Sequence, residues 1–129
     1  DAQELGTGKK FDLIYAFDII EHLERPDLAL KSWKSRLTKG GRIFMVTPEP
    51  CGMDLMFKLK FLLPKGLHAW LDTDTTHISI LPDYKWRQLF EEAGLRTEKS
   101  GKFTSLTKGK RFLNLVPINM IQAFILMPT

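Results

Sequence analysis

A single cysteine, Cys51, stands among 129 residues, which excludes an intramolecular disulfide and a zinc site built from several thiolates. Such cysteine usage fits a reducing compartment, so a cytoplasmic location is the expectation. No apolar run approaches the ~20 residues needed to span a bilayer, and the opening DAQELGTGKK has no apolar signal-peptide core. Long basic runs are also missing. The net charge is +4 and the sequence pI about 9.3, but the basic residues are scattered, and Lys108, Lys110 and Arg111 are too few for a nucleic-acid stripe. No internal repeat and no low-complexity segment interrupts the chain. A composition of 43% hydrophobic and 26% charged residues describes one globular domain, 1–129.

The densest information lies in FDLIYAFDIIEHLERPDLALKSWKSRLTKGGRIFMVTP, residues 11–48. Residues 11–17 read as an apolar strand. Arg25-Pro26-Asp27 is a helix start, with proline near the first helical position and an acid in the first turn. Ala29, Leu30, Trp33 and Leu37 then recur at helical steps and make a buried stripe. Gly40 supplies a left-handed cap and Gly41 turns the chain into a second apolar strand, 42–47, stopped by Pro48. Two apolar strands joined by an amphipathic helix predict a right-handed βαβ crossover in a buried parallel sheet. Further on, Pro82-Asp83 start a helix over 82–94 with Trp86, Leu89, Phe90 and Ala93 on its apolar face, ended by Gly94. A strand is expected at 95–99, reaching toward Phe103, then a loop or hairpin connection over 104–110 and a last strand at 119–127.

Residues 49–81 admit several readings. LMFKLKFLL suits a short helix capped by Asp54 and stopped at Pro64, while alternation of Phe57, Leu59 and Phe61 with lysines suits a strand. An insertion of this size between strand and helix suits a lid or substrate pocket, with Trp70 in its wall. Equally, it is a helix that only completes the core. Membrane-surface contact through its lysine-flanked apolar face is a third reading.

In parallel sheets ligands sit at the carboxyl ends of the strands, and Asp18, Glu21 and His22 follow the first strand there. Their i, i+3, i+4 spacing places them on one face of a helical turn. Two carboxylates and an imidazole suit a hard or borderline ion such as magnesium or manganese. The bland alternative is that Asp18 lines a ligand pocket while Glu21 and His22 make structural hydrogen bonds. Histidine is also the natural base near neutral pH, which makes His22, at the strand end, and His77, leading into the second helix, the candidates for proton transfer.

The FD…EHL…KGG…TP block, followed by an H-x-x-x-L-P step into a Trp-bearing helix and EEAGL, resembles class I S-adenosylmethionine-dependent methyltransferases. The likeness is strongest to their small-molecule, ubiquinone-pathway "EHL" branch. It implies a Rossmann-like α/β fold of which this chain carries the fourth to seventh strands, the last antiparallel, with flanking helices. It further implies S-adenosylmethionine as cofactor, with Asp1 and Ala2 at the adenine and Phe17 and Asp18 against the cofactor. Asp18, Glu21 and His22 match the E-x-x-E-H pattern of metal-using relatives, with Asp for the first Glu. The family's glycine-rich loop has no counterpart, since no apolar strand precedes Gly6-Thr7-Gly8. The chain is therefore expected to be the C-terminal part of a methyltransferase domain, inactive alone, with 49–81 as its insertion. Two functions stay open. One is methyl transfer to a small-molecule acceptor such as an apolar hydroxyl compound; the other is a non-catalytic half-domain that binds a partner chain through its sheet edge and apolar insert. RNA methylation lacks its basic stripe.

Overall fold

The computed structural model describes residues 8–50, 78–103 and 121–129. Strand β1 (Phe11–Phe17) leads through a 3-10 turn, Ile20–His22, into helix α1 (Pro26–Ser35). Strand β2 (Leu37–Pro48) follows, then helix α2 (Asp83–Glu92) and strands β3 (Leu95–Phe103) and β4 (Ile121–Pro128). The strands form one mixed sheet in the order β1-β2-β4-β3. The β1–β2 pair is parallel, Tyr15 opposite Phe44, and β4 runs antiparallel to both its neighbours. This is the α/β architecture, with an antiparallel last strand, that the family resemblance implies.

Both helices cover one face of the sheet. Ala29, Leu30 and Trp33 of α1 and Trp86 and Phe90 of α2 meet Ala16, Ile43, Met45, Phe124 and Leu126 in a single buried core. Phe90 anchors it, its ring 6.2 Å from Trp86 and 5.1 Å from Phe124. The expectation of strands buried on both faces fails on β1. Its alternate residues Leu13, Tyr15 and Phe17 are 41, 61 and 50% exposed, because β1 is an edge strand and neither helix lies on that side.

Helix α1 also ends earlier than its apolar stripe suggests. It stops at Ser35, and Leu37 already pairs with Phe11 as the first residue of β2. Leu37 is buried as expected, but from the strand. Gly40, at φ 87°, makes its left-handed bend inside β2, where the register with β1 shifts between Phe11 and Leu13. Gly94, at φ 71°, ends α2 as its sequence position requires. The 104–110 connection, residues 119 and 120 of the last strand and nearly all of the insertion lie outside the described residues.

Candidate functional site

Both parallel strands end at the same edge of the sheet, and the chain leaving β1 turns there within a few residues. Phe17 ends β1 with its ring half exposed, packed edge-on 5.4 Å from Phe44. Asp18 follows at φ 45°, a left-handed conformation that short polar residues tolerate. Its N–H donates to Val46 O, so the parallel ladder runs to the bend itself. Ile20 then drops into the core and carries Glu21 inward with it.

Glu21 is fully buried. Burial pushes its carboxyl above the ordinary glutamate range, and the charge of Asp18 adds to that. Its own backbone N–H, the nearby His22 and the Thr47 hydroxyl pull the other way. Thr47, on β2, stands beside the carboxyl without full hydrogen-bond geometry. The Glu21 backbone carbonyl accepts hydrogen bonds from the N–H groups of Ile78 and Ser79, both at 2.8 Å, and Ser79 Oγ donates to Leu23 O at 3.4 Å. These contacts bind the segment entering α2 to the turn after β1.

A second polar group closes the same end of the sheet. Gln122, on β4 opposite Thr47, is buried, and its Nε2 donates both to Pro48 O at 3.1 Å and to Leu81 O at 2.6 Å. One amide thus joins the chain leaving β2 to the chain approaching α2. Beside it the buried Glu49 carboxylate pairs with Lys102 Nζ of β3 at 2.9 Å. Sequence reasoning missed Thr47, Glu49, Lys102 and Gln122. For Gln122 a signal existed, because it is the one polar residue between Met120 and Met127.

The residues expected to share a helical face do not form a ligand set. The 3-10 turn starts at Ile20, so Asp18 lies outside it in a left-handed bend while Glu21 points into the core. Among the described residues, no group of three or more His, Cys, Asp and Glu is arranged to hold a metal ion. Phe17 and Asp18 do stand together at the carboxyl end of β1, and His22 closes the turn behind them. Asp1, Ala2, His77 and Trp70 lie outside the described residues. No helix among the described residues is long and apolar enough to cross a membrane.

The geometry agrees with what comparison finds. A family model for a methyltransferase domain matches residues 1–100. No curated protein matches the sequence. Among solved structures, magnesium protoporphyrin IX methyltransferase from Synechocystis PCC 6803 with bound SAH superposes with a TM-score of 0.65 at 14% identity, over 100% of this chain and 49% of its own. A S-adenosylmethionine-dependent methyltransferase from Clostridium acetobutylicum ATCC 824 does so with 0.62 at 12% identity, over 99% and 62%. LepI in complex with SAM gives 0.61 at 10% identity, over 100% and 29%. The chain thus spans at most about three-fifths of these proteins, and at such identities they share its fold. With the family model matching most of the sequence, the chain belongs to the SAM-dependent methyltransferase-domain family.

Proposed function

We propose that this chain carries the acceptor side of a methyltransferase that methylates a small molecule, an apolar hydroxyl compound of the kind taken by the ubiquinone-pathway branch. One observation carries the reading: the family match encloses both parallel strands and the polar turn at their carboxyl ends, where such sheets bind ligands. The residues there suit the cofactor in part. Phe17 offers a half-exposed ring and Asp18 a carboxylate beside it, fitting a ligand that joins an aromatic base to a cationic sulfur. S-adenosylmethionine, when bound, supplies the electrophilic methyl group. Asp1 and Ala2 would meet its adenine, and His22 or His77 would take the proton of the acceptor hydroxyl. No magnesium step belongs to this reading, since Asp18, Glu21 and His22 do not converge.

The glycine-rich cofactor loop has no counterpart in residues 1–129. We therefore read the chain as the C-terminal portion of its domain, with residues 49–81 as an insertion within it, in a cytoplasmic protein. The exposed β1 edge and the 49 and 62% coverage of related folds support the half-domain reading. A non-catalytic, partner-binding role has only that open edge in its favour and gains nothing from the family match.

Calorimetric titration of the 129-residue chain with S-adenosylhomocysteine, with and without magnesium, tests this. The expected result is no tight binding in either condition, with binding restored when a glycine-loop half is supplied. Tight binding by the chain alone would overturn the half-domain part, and a magnesium requirement would overturn the metal-free one.

A further inference from the structure

The sheet has two outer edges, and they are built differently. Strand β3 is guarded: Arg96, Glu98, Lys99 and Lys102 stud it, and its register with β4 shifts between Thr97 and Lys99. Strand β1 carries a single charge, Asp12, and among the described residues nothing pairs with its outer side. Of the nine large apolar side chains left exposed, five are Phe11, Leu13, Tyr15, Phe17 and Ile19, at every second position along this edge. The backbone there is set for pairing. Asp18 N–H donates to Val46 O, so by strand alternation Ala16 and Ile14 turn their backbone groups to β2. Leu13 and Tyr15 therefore turn theirs outward. Phe11 does not, because its N–H donates to Arg36 O at 2.7 Å.

We propose that the outer edge of β1 pairs antiparallel with the same edge of a second copy of this chain, centred on Ile14, to join the two sheets into one. The segment KFDLIYAFD, residues 10–18, is complementary to itself in that register. Leu13 lies opposite Tyr15 of the second copy and exchanges both backbone hydrogen bonds with it, and the two-fold axis repeats the exchange. Phe11 lies opposite Phe17, and at each end Lys10 lies opposite Asp18; all four positions are exposed. Charge selects this register over its neighbours. Sliding the second copy by two residues is the smallest step that keeps the outward backbone groups face to face. One way, the step sets Asp12 against Asp18 at both ends, and like charges directly opposite destabilise a strand pair. The other way, it sets Lys10 against Ala16 and Asp18 against Gly8, and both ion pairs are lost. The pairing also adds a group to the candidate site, since it brings the second copy's Lys10 ammonium beside Asp18 and Phe17. Within one copy that ammonium donates only to the exposed Ser35 O, a bond readily exchanged for a carboxylate. The contact is one short strand wide, so the dimer is a weak one.

An isologous contact closes on itself, so in sedimentation velocity the mass average should rise from 14.9 kDa toward twice that value and no further. In a mixture of ¹³C-labelled and unlabelled chains, a filtered NOE should join Ile14 Hα of one copy to Ile14 Hα of the other, the close contact of a non-hydrogen-bonded antiparallel pair. Lys10→Glu opposes two carboxylates at each end and should weaken the dimer about tenfold. Adding Asp18→Lys to the same chain restores opposite charges and should recover most of that loss. Asp18 sits at φ 45°, so should the double variant fail to fold, the wild-type NOE decides alone. A chain that stays monomeric at every concentration, growth beyond the dimer, a dimer without the Ile14 contact, or a folded double variant without rescue would overturn the proposal. A monomer would assign the β1 edge to a strand of some other chain. None of these measurements involves cofactor, so their failure leaves the methyl-transfer reading standing, and failed cofactor binding leaves the dimer standing.

Discussion

Asp18 is held at φ 45° between a hydrogen bond to β2 and a turn whose next residues dive into the core. For a residue with a Cβ that conformation costs about 1–2 kcal/mol, least for the short polar types. Asp18→Val should therefore lower unfolding free energy in urea by about 1–2 kcal/mol, whereas Asp18→Gly should stay within about 0.5 kcal/mol of the parent. Three residues on, Glu21 makes stability depend on pH. Its folded pKa is raised, chiefly by burial, so the folded protein holds this proton more tightly than the unfolded chain. The resulting stability is fully present below the unfolded value near 4.5 and is lost as pH rises through the folded value. Glu21→Gln removes the ionisation. Thermal melts of variant and parent at stepped pH should show the variant gaining on the parent as pH climbs from 4.5. A gap that stayed constant with pH would show that Glu21 does not titrate across that window.

Between elements, Phe90 is where the helix layer meets the sheet, touching Trp86 within α2 and Phe124 on β4. Phe90→Ala should cost about 3–5 kcal/mol in denaturant unfolding, as large-to-small changes in packed aromatic cores do. Tyr84→Ala, on the exposed side of the same helix, should change little. The stripe that predicts this contact is legible in the sequence because helical periodicity is local: Trp86, Phe90 and Ala93 need only their spacing to declare a face. The β1–β2 strands and the Gly94 stop are legible for the same reason. The end of α1 is not. Leu37 suits a helix stripe and a strand equally, and what settles it is its pairing with Phe11, a contact between residues far apart in the chain. The turn at Asp18–His22 fails likewise. Its spacing suits one helical face, but the demand for Ile20 in the core starts the turn later and sends Glu21 inward. Gln122 shows a third limit. Its sequence marks an oddity in an apolar strand, while its two carbonyl partners, Pro48 and Leu81, come from separate segments that only the folded sheet brings together.

Among the described residues, the two faces of the sheet differ. One face carries α1, α2 and the buried core they form with the sheet; the other presents Leu13, Tyr15 and Phe17, with Phe44 closing an aromatic cluster of centroid separations 5.4–6.2 Å. Parallel strands are ordinarily covered on both faces, and an edge strand whose outward groups are unpaired is a template for further pairing. Apolar patches of this kind mark surfaces that seek cover. At rising concentration the 129-residue chain should therefore self-associate, which sedimentation velocity would register as a mass average climbing above 14.9 kDa. Tyr15→Lys puts a solvated charge at the most exposed position of the patch without touching the helix-covered core. Association should weaken, while the unfolding free energy in urea stays within about 0.5 kcal/mol of the parent, the usual range for surface changes. If association persists unchanged in Tyr15→Lys, it runs through another surface and the β1 face is not the adhesive one. If the variant instead loses stability with its association, the aromatic cluster is part of the folded core and its exposed side is not a free surface.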